Sequence, residues 1–185
     1  MSRLIMWNLV TLDGFFEGAK TWDLGFHQYA WGDELKQFSI DQLRSADMLL
    51  FGRITYDGMA RYWQAAKGED ADYMNSLPKV VFSRSLERAD WSNTKLVKGE
   101  LAAETEELKR ERRGNIFVFG SGNLSSGLVE HGLFDEYRLA VVPVLLGQGK
   151  PLFGPNSDRL RLRLLEARPL SNGCVILRYE PVKEL

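Results

Sequence analysis

The chain has 185 residues, 44% of them apolar and 11% aromatic, with a formal net charge of −1, which is one domain's length with enough apolar surface for a core that needs no staples. That charge, with no basic stripe, gives no footprint for nucleic acid, and the longest apolar run, Leu139 to Leu146 broken by Pro143, is far too short to span a bilayer. The lone Cys174 and two separated histidines, His27 and His131, form neither a disulfide nor a zinc motif, and no signal-peptide pattern precedes the first strand, so a metal-free, cytoplasmic single domain over residues 1–185 is expected.

Arg3 to Val10 reads as a first, central strand. It runs into Thr11-Leu12-Asp13-Gly14, where Asp13 is either an Asx-turn former or a polar group at a strand's C-terminal end. Ala19 to Asp33 is glycine-broken and carries Trp22, Phe26, Tyr29 and Trp31 at neither helical nor alternating spacing. It reads as a substrate lid, a hydrophobic flap on the core or a dimer contact. A helix is expected over Asp33 to Ala46 and a second strand over Asp47 to Phe51. That strand ends in Gly52-Arg53-Ile54-Thr55, with Thr55 as the expected N-cap and Arg53 placed either to grip a phosphate or simply at the surface.

Lys67 to Asp72 is polar and reads as loop, and Lys79 to Phe82 as a third strand ending in Ser83-Arg84-Ser85. A short strand at Lys95 to Lys98 precedes a charged helix from Glu100 to Arg113, whose basic run is offset by Glu104, Glu106, Glu107 and Glu111. Ile116 to Phe119 is an all-apolar strand ending in Gly120-Ser121-Gly122. Asn123, Ser125 or Ser126 is the expected cap of the helix that follows. Strand, glycine turn and helix start together suit a phosphate, though glycine serves plain turn geometry as well. The match to G-x-G-x-x-G fails, because Ser125 stands where the third glycine belongs and no acid ends the next strand, so a standard Rossmann domain is not expected. Asp135 to Val142, the alternating Leu160 to Leu164 stretch and Cys174 to Tyr179 complete a mixed sheet with antiparallel last strands.

Three strands thus end in Gly52-Arg53, Ser83-Arg84 and Gly120-Ser121-Gly122, which a parallel sheet brings to one edge. Two helix starts for a pyrophosphate and arginines for a further phosphate point to NADPH over NADH.

The succession LVTLDGFFEG, LLFGRITYDGM, VVFSRSL, IFVFGSGNLSSGLV and DEYRLAVVPVLLGQGKPLF resembles the dihydrofolate reductase-like superfamily over nearly the whole chain. It is most similar to the C-terminal reductase domain of the bifunctional riboflavin-biosynthesis deaminase/reductase and its stand-alone relatives. The resemblance implies a three-layer α/β/α fold, NADPH as cofactor, a small heterocyclic substrate such as a pterin or a ribosylaminopyrimidine, and a homodimer. It would place Gly52, Arg53 and Thr55 at cofactor phosphates, Ser83 and Arg84 near the 2′-phosphate, and Gly120, Ser121, Gly122, Asn123 and Leu124 at the pyrophosphate. Leu12, Asp13 and Gly14 would border the nicotinamide. Asp13 is the first choice for the catalytic group, with Asp33 and Glu34 behind it, and Trp22, Trp31, Phe38 and Tyr56 would contact the substrate. The alternative is a module that binds NADPH or a pterin without turnover.

Overall fold

The computed structural model describes residues 2–154 and 159–182. Its centre is strand β1 (Leu4–Thr11), in which every residue is buried. The reason lies in its neighbours: β1 runs parallel to β6 (Asn115–Phe119) on one side and β7 (Glu136–Val142) on the other, so both its faces are covered by helices. Beyond β6 lie β3 (Ala46–Gly52), β4 (Lys79–Phe82) and β5 (Thr94–Val97), all parallel. Beyond β7, β10 (Val175–Pro181) and β9 (Leu162–Pro169) run antiparallel, giving the sheet order β5-β4-β3-β6-β1-β7-β10-β9. A two-stranded ribbon of β2 (Phe15–Glu17) and β8 (Lys150–Pro151) stands apart. Neither of its short strands was expected from the sequence.

Alternation along β1 divides the core. Ile5, Trp7 and Leu9 face a cluster built with α1 (Asp33–Ser45), α2 (Arg53–Trp63) and α3 (Glu69–Ser76). Leu4, Met6 and Val10 face a second cluster with α4 (Leu101–Glu111) and α5 (Gly122–Glu130). Three layers result. Each fully buried aliphatic side chain on this strand contributes roughly 1.5–3 kcal/mol.

Three local expectations fail. Residues 69–72 are not loop but the first turn of α3, because Glu69, Asp70 and Asp72 complement the positive end of the helix while Ala71 and Met74 are buried. The far end of α3 is closed by the buried Lys79, whose Nζ donates to the carbonyls of Met74, Asn75 and Leu77 at 2.9, 3.1 and 2.7 Å. Thr55 is not an N-cap: Gly52 occupies that position and Thr55 is already helical. Likewise Asn123, Ser125 and Ser126 lie within α5, capped by Ser121 in the left-handed region without a side-chain bond.

At the other end of the strands, Glu136 is fully buried and ion-paired to Arg3 at 3.0 Å and to Arg138 and Arg178 at 2.7 Å each. Burial alone would raise its pKa, but the two guanidiniums of Arg138 and Arg178 hold it below the ordinary value. Among the described residues no helix is long and apolar enough to cross a membrane, and no group of three or more His, Cys, Asp or Glu side chains could hold a metal ion.

Candidate functional site

Because β4, β3 and β6 are adjacent and parallel, their C-terminal ends share one rim. A groove of about 1630 Å³ runs along it, lined by Gly52, Arg53 and Thr55, by Ser83 and Ser85, and by Gly120 through Leu124. The three turns singled out in the sequence therefore meet in one cavity, larger than the roughly 300–1,000 Å³ typical of drug-sized ligands.

The turn after β6 is built for close approach. Gly120 and Ser121 both have positive φ, +62° and +58°, a conformation that is uncommon for serine. A Cβ on Gly122 would lie 2.5 Å from the Phe16 ring, so only glycine admits that ring against the helix start. The first intrahelical bond of α5 is Ser125 N–H to Ser121 O at 2.8 Å, which leaves the Gly122, Asn123 and Leu124 N–H groups without helical partners. Ser121 Oγ also accepts from the Gly52 N–H at 3.1 Å, locking two of the turns together.

The opposite wall comes from α1, α2 and the aromatic segment. Trp22, Leu24, His27 and Trp31 line the groove, while Phe26 and Ala30 root the segment in the core. Trp22 holds φ at +66° and rests its indole on the bare backbone of Gly58, where any Cβ would overlap the ring. The Trp22 backbone N–H donates to Glu17 Oε1 at 2.6 Å, and the other Glu17 oxygen is ion-paired to Lys150, which also reaches Thr21 Oγ1 at 3.3 Å. Burial pulls His27 down to about 4, so its imidazole is neutral at physiological pH. Lys36, Arg53, Arg61 and Lys67 line the groove and form no ion pair among the described residues, against the acids Glu17 and Asp70.

Several residues named from the sequence sit elsewhere. The Asp13 carboxylate accepts from Thr11 Oγ1 at 2.6 Å and from the Leu146 and Gly147 N–H groups at 3.2 and 2.8 Å, which hold its pKa below the usual range. Asp13 therefore fastens the loop after β7, and neither it nor Leu12 or Gly14 lines the groove. Glu34 accepts from the Ser171 hydroxyl and N–H and is held low by them, and Asp33 is exposed in the first turn of α1; neither lines the groove. Phe38 is a core residue whose ring is tilted against Trp7 at 5.3 Å between centroids, and the Tyr56 hydroxyl accepts from the buried backbone N–H of Trp91 at 2.9 Å; neither lines the groove. Arg84 is paired with Glu100 at 3.0 Å outside the lining, both side chains being exposed.

The sequence reading missed Asn8, Glu17, His27, Lys36, Ser39 and Lys150 in the lining. Lys36 and Ser39, three apart on α1 with Leu43 beyond, share a stripe that helical periodicity could have flagged. For Glu17 and Lys150 no signal existed, since a ribbon of two very short strands brings them together.

A family model described as the RibD C-terminal domain matches residues 3–176. The Bacillus subtilis protein YyaP, which is uncharacterized, is 32% identical over 192 residues, covering 96% of this chain and 94% of its own length. A Shewanella sp. PV-4 protein provisionally assigned to riboflavin biosynthesis superposes with a TM-score of 0.83 at 20% identity, covering 98% of this chain and 99% of that one. The dihydrofolate reductase of Enterococcus faecalis, solved with NADP(H), superposes with a TM-score of 0.66 at 13% identity, covering 98% and 97%. The fold is thus the dihydrofolate reductase-like one.

Proposed function

This chain belongs to the RibD C-terminal domain family, and from that premise we propose that it is a reductase that uses NADPH to reduce a small heterocycle, a pterin or a ribosylaminopyrimidine. One observation carries the reading: a single groove joins the three glycine or serine turns at the strand ends and is lined by Lys36, Arg53, Arg61 and Lys67, none of them ion-paired among the described residues. The chain as a whole is near neutral, so this local excess favours an anionic ligand.

The residues fit such a cofactor. The N–H groups of Gly122, Asn123 and Leu124, which have no partner among the described residues, suit a pyrophosphate, and Arg53, at the start of α2, suits the further phosphate. When bound, NADPH supplies the hydride. The protein's part is to bind, to exclude water and to provide a proton. Trp22 and Trp31 cover a planar ring from the lid side. Reduction of a C=N or C=O bond takes the hydride at carbon and a proton at the heteroatom; that proton comes from Lys150 Nζ, poised between Glu17 and Thr21 and replenished from solvent. The protein works in the cytoplasm as a homodimer.

Fluorescence titration with NADPH and NADH, followed by NADPH consumption with a panel of pterins and pyrimidines, tests this reading. Tighter binding of NADPH with substrate-dependent oxidation is expected. Binding without turnover on any substrate would favour the non-catalytic module, and no binding of either cofactor would end the proposal.

A further inference from the structure

We infer that Asn8 is a cofactor-binding residue whose amide donates from Nδ2 to the neutral carboxamide oxygen of the nicotinamide ring; this rests on the NADPH reading above. From Leu4 to Val10 the central strand is apolar except at Asn8, which is 4% exposed yet lines the groove. Its Nδ2 has no hydrogen-bond partner among the described residues and is itself sealed from the groove, so the amide turns about χ2 to present it to a ligand. A buried donor left unmet destabilises the fold, so it calls for a ligand or another function that needs it.

Position says which part of the ligand it meets. Trp7 is in register with Phe119, so Asn8 stands beside Gly120, where β6 gives way to the glycine turn. Alternation puts its side chain on the face of Met6 and Val10, the face that packs against Leu124 in the first turn of α5. Phe16 closes the same corner against Gly122. The groove cations Lys36, Arg53 and Arg61 belong to α1 and α2, which cover the other face. An uncharged donor in an apolar corner, one step from the anion-binding turn, matches a carbonyl on a planar ring better than a phosphate.

The test compares Asn8→Leu and Asn8→Ala with the unsubstituted protein by calorimetric titration of NADPH and of 2′-phospho-ADP-ribose, which lacks the nicotinamide ring, and by thermal unfolding without ligand. Expected are binding of NADPH about 10-fold weaker in both variants, equal to about 1.4 kcal/mol, unchanged binding of the ring-less fragment, and an unfolding temperature in Asn8→Leu equal to or above that of the starting protein. Equal loss for both ligands, loss in Asn8→Leu alone, unchanged NADPH affinity, or a lowered unfolding temperature in both variants would each overturn the assignment. Failure of the unsubstituted protein to bind NADPH would instead remove the cofactor reading, and this inference with it.

Discussion

The Gly52 N–H donates to Ser121 Oγ at 3.1 Å, joining the end of β3 to the turn after β6 across 69 residues. The bond fixes the spacing of two turns proposed to hold one ligand, and it satisfies a donor at a helix N-cap. Ser121→Ala removes the acceptor and is expected to cost about 1–3 kcal/mol in urea unfolding. Ser121→Gly removes it too but relieves the positive φ, and should cost about 1 kcal/mol less. Equal stability of both variants with the parent would show that the bond holds nothing in place.

Lys150 is the cation of an ion pair lining the groove, and the proposed mechanism draws its proton from it. Lys150→Met should lower the rate of substrate reduction about 100-fold or more while leaving NADPH affinity near its starting value. Parallel loss of rate and cofactor binding would assign Lys150 to binding instead.

Arg53 and Arg84 were both linked to a phosphate, but they differ in setting. Arg53 lines the groove with no ion pair among the described residues, while Arg84 is held by Glu100 outside it. Arg53→Ala is therefore expected to weaken NADPH about 10-fold or more and to narrow its advantage over NADH, with Arg84→Ala changing either constant by less than about threefold. The reverse order, read from titrations of both cofactors, would move the phosphate site to the β4 loop.

His27, at about 4, takes up its proton later in the folded state than in the unfolded chain, where it titrates near 6.5. Between those values the unfolded state binds more protons, so stability falls as pH drops from about 6.5 to about 4, by at most about 3 kcal/mol. Glu136, depressed by its arginines, adds a further loss below its unfolded value near 4.5. His27→Phe should flatten the upper part of this slope and leave the lower part. Urea midpoints measured across pH 4 to 7 decide it, and an unchanged upper slope would show that His27 is protonated in the folded protein.

Strand β9 is the sheet's edge and leaves Leu162, Leu164 and Leu165 exposed, with Leu160 just before it. An unpaired apolar edge of this kind suits a second copy of the chain. Replacing Leu162 and Leu164 together by Glu should convert a dimer to a monomer in sedimentation equilibrium. A protein that sediments as a monomer before substitution would refute the homodimer.

The strands of the eight-stranded sheet and most helices were legible because burial on two faces leaves runs such as Ile116 to Phe119, and because glycines mark where those runs end. Helix α3 was hidden: its first turn is acidic, a composition shared by loops and helix starts, and a lysine opening the next strand does not look like the group that closes the helix before it. At the site, glycine turns were legible since their backbone demands are local. The acids were not. Asp13 and Glu34 stand at suggestive places in the sequence, yet the amides of Gly147 and Ser171, more than 130 residues away, engage them. Asn8 was passed over because a single polar residue inside an apolar strand looks like noise until its missing partner is seen.

The resting place of the Trp22 indole on Gly58 depends on one absent methyl group. A relative with alanine at that point would keep the helix, which favours alanine over glycine by about 1 kcal/mol, yet its aromatic segment would have to park elsewhere. The width of the mouth, and with it the range of molecules admitted, can therefore drift through a position that touches neither the sheet nor the phosphate-facing turns.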